Sequence, residues 1–263
     1  MNARSRGAPL LALALLAATS SAEAANPSTY SVGTLTVAPG TASVEFPLGR
    51  GFAAELAVVA VGQGTYDEKN PFAYLAGVAP LAWVHWDGVP NLRLSASFQE
   101  IFWGEIAPLR IPSSTEERGV VRARLQQPRG AAALYEMFQL DVRNLEDAAG
   151  NHHLVFRPRL RLGQGFNLDA VRIHSLVLYQ EVAFRFAEEG YAARAFDFFR
   201  VFAGYMWTTR RGTFVTLGLV GQVSLNPPAT AYTFLCGPAL GVTYRFRAKA
   251  AETPPPPPDV EMQ

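Results

Sequence analysis

The 263-residue chain has one cysteine, Cys236, which excludes a disulfide framework and a cysteine-rich metal site. An excess of one charge is missing too. Its 23 Lys+Arg stand against 22 Asp+Glu, a formal net charge of +1, so it lacks the field of a nucleic-acid binder. Charged residues are only 17% of the chain and hydrophobic ones 49%, too apolar a balance for disorder. Beyond the first two dozen residues no window holds the ~18 uninterrupted apolar residues of a membrane-spanning helix. No phosphate loop, dinucleotide fingerprint or cysteine pair occurs. What the chain does contain is 19 prolines and 22 glycines, which suit many turns between strands.

Residues 1–24 read as a cleaved secretory signal. Arg4 and Arg6 give the positive start, Leu10 to Ala18 the short apolar stretch, and Ala22-Glu23-Ala24 the small-x-small cleavage site. The stretch is shorter than the ~20 residues that a membrane anchor needs. The remainder divides into a 25–247 domain and a Pro-rich tail, 248–263, expected to be extended and periplasmic.

The mature chain alternates. Leu92, Leu94, Ala96 and Phe98 oppose Arg93, Ser95, Ser97 and Gln99. Arg122, Arg124 and Gln126 oppose Val121, Ala123 and Leu125, and Arg157, Arg159 and Arg161 interleave with Pro158, Leu160 and Leu162. Leu240, Val242, Tyr244 and Phe246 oppose Gly241, Thr243 and Arg245. Period two over such lengths predicts strands, since a helix would mix the two faces. Ten segments follow the pattern: 52–63, 71–86, 91–103, 119–127, 132–143, 152–162, 172–186, 195–207, 213–225 and 233–247. A pair at 30–37 and 42–48, joined through Pro39-Gly40, raises the total to twelve. Turn chemistry marks the breaks at Asp87-Gly88, Gly130, Gly212 and Asn226-Pro227-Pro228.

Strands this long exceed the five or six residues usual in soluble sheets but suit tilted membrane spans of ~9–11 residues. Aromatics such as Trp83, Trp86, Trp103, Tyr205, Trp207 and Tyr244 gather toward strand ends, as in interfacial girdles. The expected fold class is all-β, a single antiparallel up-and-down transmembrane barrel of about 10–12 strands. A soluble barrel with its faces reversed is the alternative. Connections 87–90, 128–131, 163–171 and 208–212 would be periplasmic turns. The longer set, 64–70, 104–118, 144–151, 187–194 and 226–232, would be external. An even strand count would then leave both termini in the periplasm.

The last strand looks like the C-terminal signal that outer-membrane barrels present to their insertion machinery, with Gly241, Tyr244 and Phe246 in its positions. The departure is that residues 247–263 follow the final aromatic. Residues 115–247 resemble the outer-membrane proteins catalogued as domain of unknown function 2490. The resemblance is carried by Arg157, Arg159 and Arg161, then Tyr179-Gln180-Glu181, Phe198-Phe199-Arg200, Ala203-Gly204-Tyr205-Met206, and Gly218 with Gln222. It implies a barrel of roughly ten to twelve strands and no established activity.

By parity the lumen receives Glu55, Arg93, Arg122, Arg124, Asp141 and Arg143. It also receives Arg157, Arg159, Arg161, Glu181, Arg185, Arg200 and Arg245. Charge inside a membrane protein must face water or other charge, because lipid exposure costs a few kcal/mol per group. Either the guanidinium groups pair with Glu181 and Asp141 and plug the barrel, or they line a porin-like, anion-attracting pore. Glu181, with Tyr179 as a hydrogen-bonding neighbour, is the expected partner of the Arg157–Arg161 ladder, and Asp141 and Arg143 flank it.

No catalysis, cofactor or metal is expected. His152-His153 and His174-Ser175 are adjacent on strands and face opposite ways, so neither pair shares a site. The functional expectation is an outer-membrane barrel of a Gram-negative cell with a structural or binding role, or limited passage of small anions. Its partners would be lipid, lipopolysaccharide, the insertion machinery and a small anionic ligand. The competing classes are a lipid-modifying outer-membrane enzyme, which would need a Ser/His/acid set on the lipid face, and a soluble periplasmic carrier.

Overall fold

The computed structural model describes residues 29–35, 40–65, 74–103, 114–146, 150–169, 173–187, 195–209, 212–225 and 231–245. The signal segment, most of the longer connections, Phe246 and the Pro-rich tail lie outside the described residues. The described residues form twelve strands: β1 (Thr29–Leu35), β2 (Gly40–Gly49), β3 (Phe52–Thr65), β4 (Tyr74–Val89), β5 (Leu92–Trp103) and β6 (Ser114–Arg129). They continue with β7 (Ala132–Glu146), β8 (His152–Asn167), β9 (His174–Ala187), β10 (Ala195–Thr208), β11 (Thr213–Leu225) and β12 (Ala231–Arg245). From β2 to β12 each strand pairs antiparallel with the next, a meander that closes on itself.

The closure departs from expectation. Thr29 to Val32 run parallel with Ala231 to Phe234, and Gly40 to Glu45 run parallel with Leu240 to Arg245. On the other side, Thr34 and Leu35 pair with Thr65 and Gly64, and Gly40 to Pro47 pair with Ala60 to Ala53. β1 and β2 are therefore two segments of one stave between β12 and β3, and the barrel has eleven staves. In a meander with an odd number of staves the first and last point the same way, so the seam must be parallel. The even count is corrected accordingly. Thr29 lies at one end of the barrel and Arg245 at the other, not both at one end.

Several boundaries also move. Asp87 and Gly88 belong to β4, and the chain reverses at Pro90-Asn91, where Asn91 takes φ 65°, a left-handed conformation that asparagine tolerates. Ser114 to Arg118 extend β6 into what reads as the 104–118 loop. Gly163 to Asn167 extend β8, so the 163–171 turn, long for its end of the barrel, shortens to 168–173. The two ends keep the predicted sorting, with two-residue reversals at 50–51, 90–91 and 130–131 on one rim. That rim is laced together. Gly51, Asn91, Ala131, Ile173 and Gly212 each offer a carbonyl to an amide of the next hairpin, at Asp87, Gln126, Asn167, Thr208 and Arg245.

The partition is inverted relative to a soluble barrel. Outward-facing Phe98 and Leu219 are each 63% exposed and Leu56 is 58%, while inward-facing Asp141 is 0% and Glu181 1%. Apolar outside and charged inside is the arrangement of a transmembrane barrel.

The parallel seam can be checked by cross-linking. In a Cys236→Ser background, the cysteine pairs Thr41→Cys/Gly241→Cys and Ser43→Cys/Thr243→Cys should both oxidise to an intramolecular disulfide. Ser43 Oγ already lies 3.0 Å from Thr243 Oγ1. An antiparallel seam could satisfy at most one of the two pairs.

Candidate functional site in the lumen

The Arg157–Arg161 ladder on β8 lies between β7 and β9, whose registers place Asp141 opposite Arg157 and Glu181 opposite Arg161. Successive ladder arginines sit ~6.6 Å apart along the strand, so like charge repels unless acids intervene. Two acids do. Glu181 Oε1 accepts from Arg159 Nε at 2.5 Å, and its Oε2 accepts from Arg161 Nη2 at 3.0 Å. Asp141 Oδ2 accepts from Arg157 Nε and Nη2 at 2.9 and 2.7 Å and lies 3.4 Å from Arg159 Nη1. Arg159 thus bridges the two carboxylates. Gln139 Nε2 donates to Asp141 Oδ1 at 2.5 Å while its oxygen accepts from Arg122 Nε at 2.8 Å, which extends the network to β6.

Two acids that parity did not supply complete it. Glu116, in the presumed external loop, lies on the inner face of β6 and accepts from Arg143 Nε and Nη2 at 2.6 Å each and from Arg118 Nε at 2.9 Å. Arg143 therefore serves Glu116 rather than flanking the ladder directly. Asp197 enters the lumen through a β-bulge on β10, where the register shifts between Phe196 and Phe198 and both Asp197 and Phe198 turn inward. Its oxygens receive Arg185 Nη1 at 3.0 Å and Arg157 Nη1 at 3.4 Å. The signal available in the sequence was an acid that strict alternation would have pointed at lipid.

The rings supply a second set of contacts. Phe198 lies under three guanidinium groups, Arg157, Arg159 and Arg200, at 5.7, 5.6 and 4.7 Å, and Tyr135 under Arg124 at 5.0 Å. Tyr179 meets the ladder through its ring face, 4.3 Å beneath Arg161, and not through its hydroxyl, which has no partner. Trp83, expected at an interfacial girdle, is instead buried in the lumen under Arg122 at 4.3 Å. Phe202 lies flat on the wall over Gly204 and Gly218, where a Cβ would fall within 2.2 and 2.4 Å of its ring. This close approach explains those two glycines.

A separate group lies near the short-turn rim. Glu45 accepts from Arg93 Nη1 at 3.1 Å and Arg245 Nε at 2.9 Å, and Asp87 accepts from Arg93 Nη2 at 2.6 Å. Glu55, opposite Glu45 in register, lies 3.0 Å from His85 Nε2, and His85 Nδ1 lies 2.9 Å from Ser95 Oγ. Glu45, Glu55 and His85 each bring one donor atom within 4.8 Å of the others, a spacing that could contract onto a cation. Sequence reasoning placed Glu55 and Arg93 inward but missed Glu45, His85 and Ser95 as a group, because their proximity depends on cross-strand register.

The other expectations fall as follows. His174 and Ser175 diverge: the His174 ring stacks on and hydrogen-bonds Tyr205, while Ser175 Oγ donates to Asn167. Arg200 donates to Gln222 Oε1 at 2.7 Å and Arg124 to Gln126 at 3.4 Å. Gly241 and Tyr244 lie on β12, paired with Thr216 and Thr213.

No family model matches the chain, and no curated protein matches it. A solved structure, the outer-membrane expressed OmpT of Vibrio cholerae, is similar at 9% identity with a TM-score of 0.36, over 76% of this chain and 90% of that one. At that distance the likeness bears on neither substrate nor activity.

Breaking the ladder's anchor should be severe. Glu181→Ala leaves Arg159 and Arg161 buried without their principal acceptor, and such losses destabilise by about 3–5 kcal/mol. Urea titration of the refolded barrel should show the shift, and Glu181→Asp should recover part of it.

Proposed function

We propose that the protein is an outer-membrane β-barrel of a Gram-negative cell whose side-chain-filled, cationic lumen binds small anions. The location is supported by the outward apolar belt and by the signal-like residues 1–24. Outer-membrane lipid, lipopolysaccharide and the insertion machinery would be its partners there. We propose as well that residues 115–247 belong with the outer-membrane proteins of domain of unknown function 2490, on the motifs of Arg157 to Arg161, Tyr179 to Glu181 and Phe198 to Arg200.

One observation carries the anion preference. Among the described residues, eleven arginines face the lumen network (Arg93, Arg118, Arg122, Arg124, Arg143, Arg157, Arg159, Arg161, Arg185, Arg200 and Arg245). Against them stand six buried carboxylates, Glu45, Glu55, Glu116, Asp141, Glu181 and Asp197, and the more exposed Asp87 beside Arg93. The excess positive charge sits in a low-dielectric enclosure, where it attracts anions more strongly than it would in water. The interior also holds apolar side chains, one cluster around Tyr179, Phe202, Met206 and Phe214 and another around Leu81, Trp83 and Ile101. Barrels near this strand number have interiors that side chains can nearly fill, whereas open porins need ~16 strands. Any passage is therefore narrow.

Planar-bilayer recordings should show no porin-sized conductance. Phosphate should raise the temperature at which the folded gel band is lost on heating, and Arg122→Gln/Arg200→Gln should abolish that rise. A large, weakly selective current, or no response to phosphate, would contradict the proposal.

A further inference from the structure

Beyond anion binding, we infer that Ser95, His85 and Glu55 form a nucleophilic site that hydrolyses small carboxylic esters within the lumen. The three residues lie on consecutive strands β5, β4 and β3, all facing inward, near the short-turn rim. Ser95 is directly opposite His85 in the β4–β5 register. Their contacts, 2.9 Å from Ser95 Oγ to His85 Nδ1 and 3.0 Å from His85 Nε2 to Glu55 Oε2, link nucleophile, base and orienting acid in one chain. The tautomer that the step uses carries its proton on Nε2, donated to the Glu55 carboxylate. The Nδ1 lone pair then faces the Ser95 hydroxyl.

The surroundings favour chemistry over packing alone. Ser95 is opposite Arg122 on its other side, in the β5–β6 register, and cross-strand partners of this kind have Cβ atoms ~4.5–5.5 Å apart. The Arg122 guanidinium rests on Trp83, which in turn stacks on His85 with ring centroids 6.0 Å apart. A fixed cation therefore stands beside the serine, where an oxyanion would develop. Beside His85, buried Trp83 Nε1 has no hydrogen-bond partner, a donor that the carbonyl oxygen of a bound ester would satisfy.

The reaction balances with water alone. Ser95 Oγ bonds to the ester carbonyl carbon as its proton passes to His85 Nδ1, and Glu55 holds the resulting imidazolium. Collapse of the tetrahedral species breaks the bond to the alkoxy oxygen, which leaves as the alcohol carrying that proton. Water, deprotonated by the same nitrogen, then releases the acid and restores Ser95. The cationic enclosure selects esters that also carry an anionic group.

The test is diisopropyl fluorophosphate labelling of the full-length refolded barrel, read by intact mass and peptide mapping, with folding monitored by the heat-modifiable gel band. The wild type should acquire one adduct, on Ser95. Ser95→Ala should acquire none. His85→Asn should label roughly 10³–10⁴-fold more slowly, and Glu55→Gln should be slowed comparably while still folding. The absence of an adduct on Ser95 in the folded wild type would overturn the inference, as would equal labelling of His85→Asn. Stoichiometric zinc retention through Glu45, Glu55 and His85 with no adduct would overturn it as well, and would make the cluster a metal site.

Discussion

The structure depends on a rule imposed by its surroundings: a chain that presents its outer face to lipid must satisfy every charge on the inner one. Arg159 shows the rule at its tightest, held between Glu181 and Asp141 at the middle of the wall. Each carboxylate there serves more than one guanidinium, so the pairs form only if β7, β8 and β9 keep their register. A one-residue slip of β8 would turn Arg157, Arg159 and Arg161 toward lipid and bring Pro158, Leu160 and Leu162 inward. The ion pairs therefore specify the register as much as they stabilise the fold.

The same rule shapes the rest of the interior. Glu116 and Asp197 supply acid where the ladder and its flanks need it, one by extending β6 and the other by a bulge in β10. Rings of Phe198, Tyr179, Trp83 and Tyr135 lie against guanidinium faces and exclude water from ion pairs that solvent would otherwise weaken. The parallel seam belongs to this economy too, because it brings Glu45 on β2 beside Arg245 on β12 and seals the barrel with an ion pair.

The strands and the inward arginines were legible in the sequence because period two is local and a charge on a lipid-facing wall is conspicuous. The signal failed where tertiary context overrides local period. The bulge at Phe196–Phe198 hides Asp197, and the ends of β6 and β8 continue through residues that read as loop. Stave parity was invisible because β1 and β2 look like a hairpin pair and are in fact collinear. The Ser95–His85–Glu55 chain was invisible for a related reason: its members are far apart in sequence and meet only through register. Trp83 was misplaced because an aromatic near a strand end reads the same whether it points at lipid headgroups or at an arginine.

The inverted partition is tested most directly by nitroxide scanning of β9 from Leu176 to Tyr179 in lipid bilayers. Labels at 176 and 178 should collide strongly with oxygen dissolved in the lipid and weakly with a water-soluble nickel chelate. Labels at 177 and 179, which face the packed lumen, should be shielded from both. Strong collision of the 176 and 178 labels with the nickel chelate would mean a water-facing exterior, and would contradict the account.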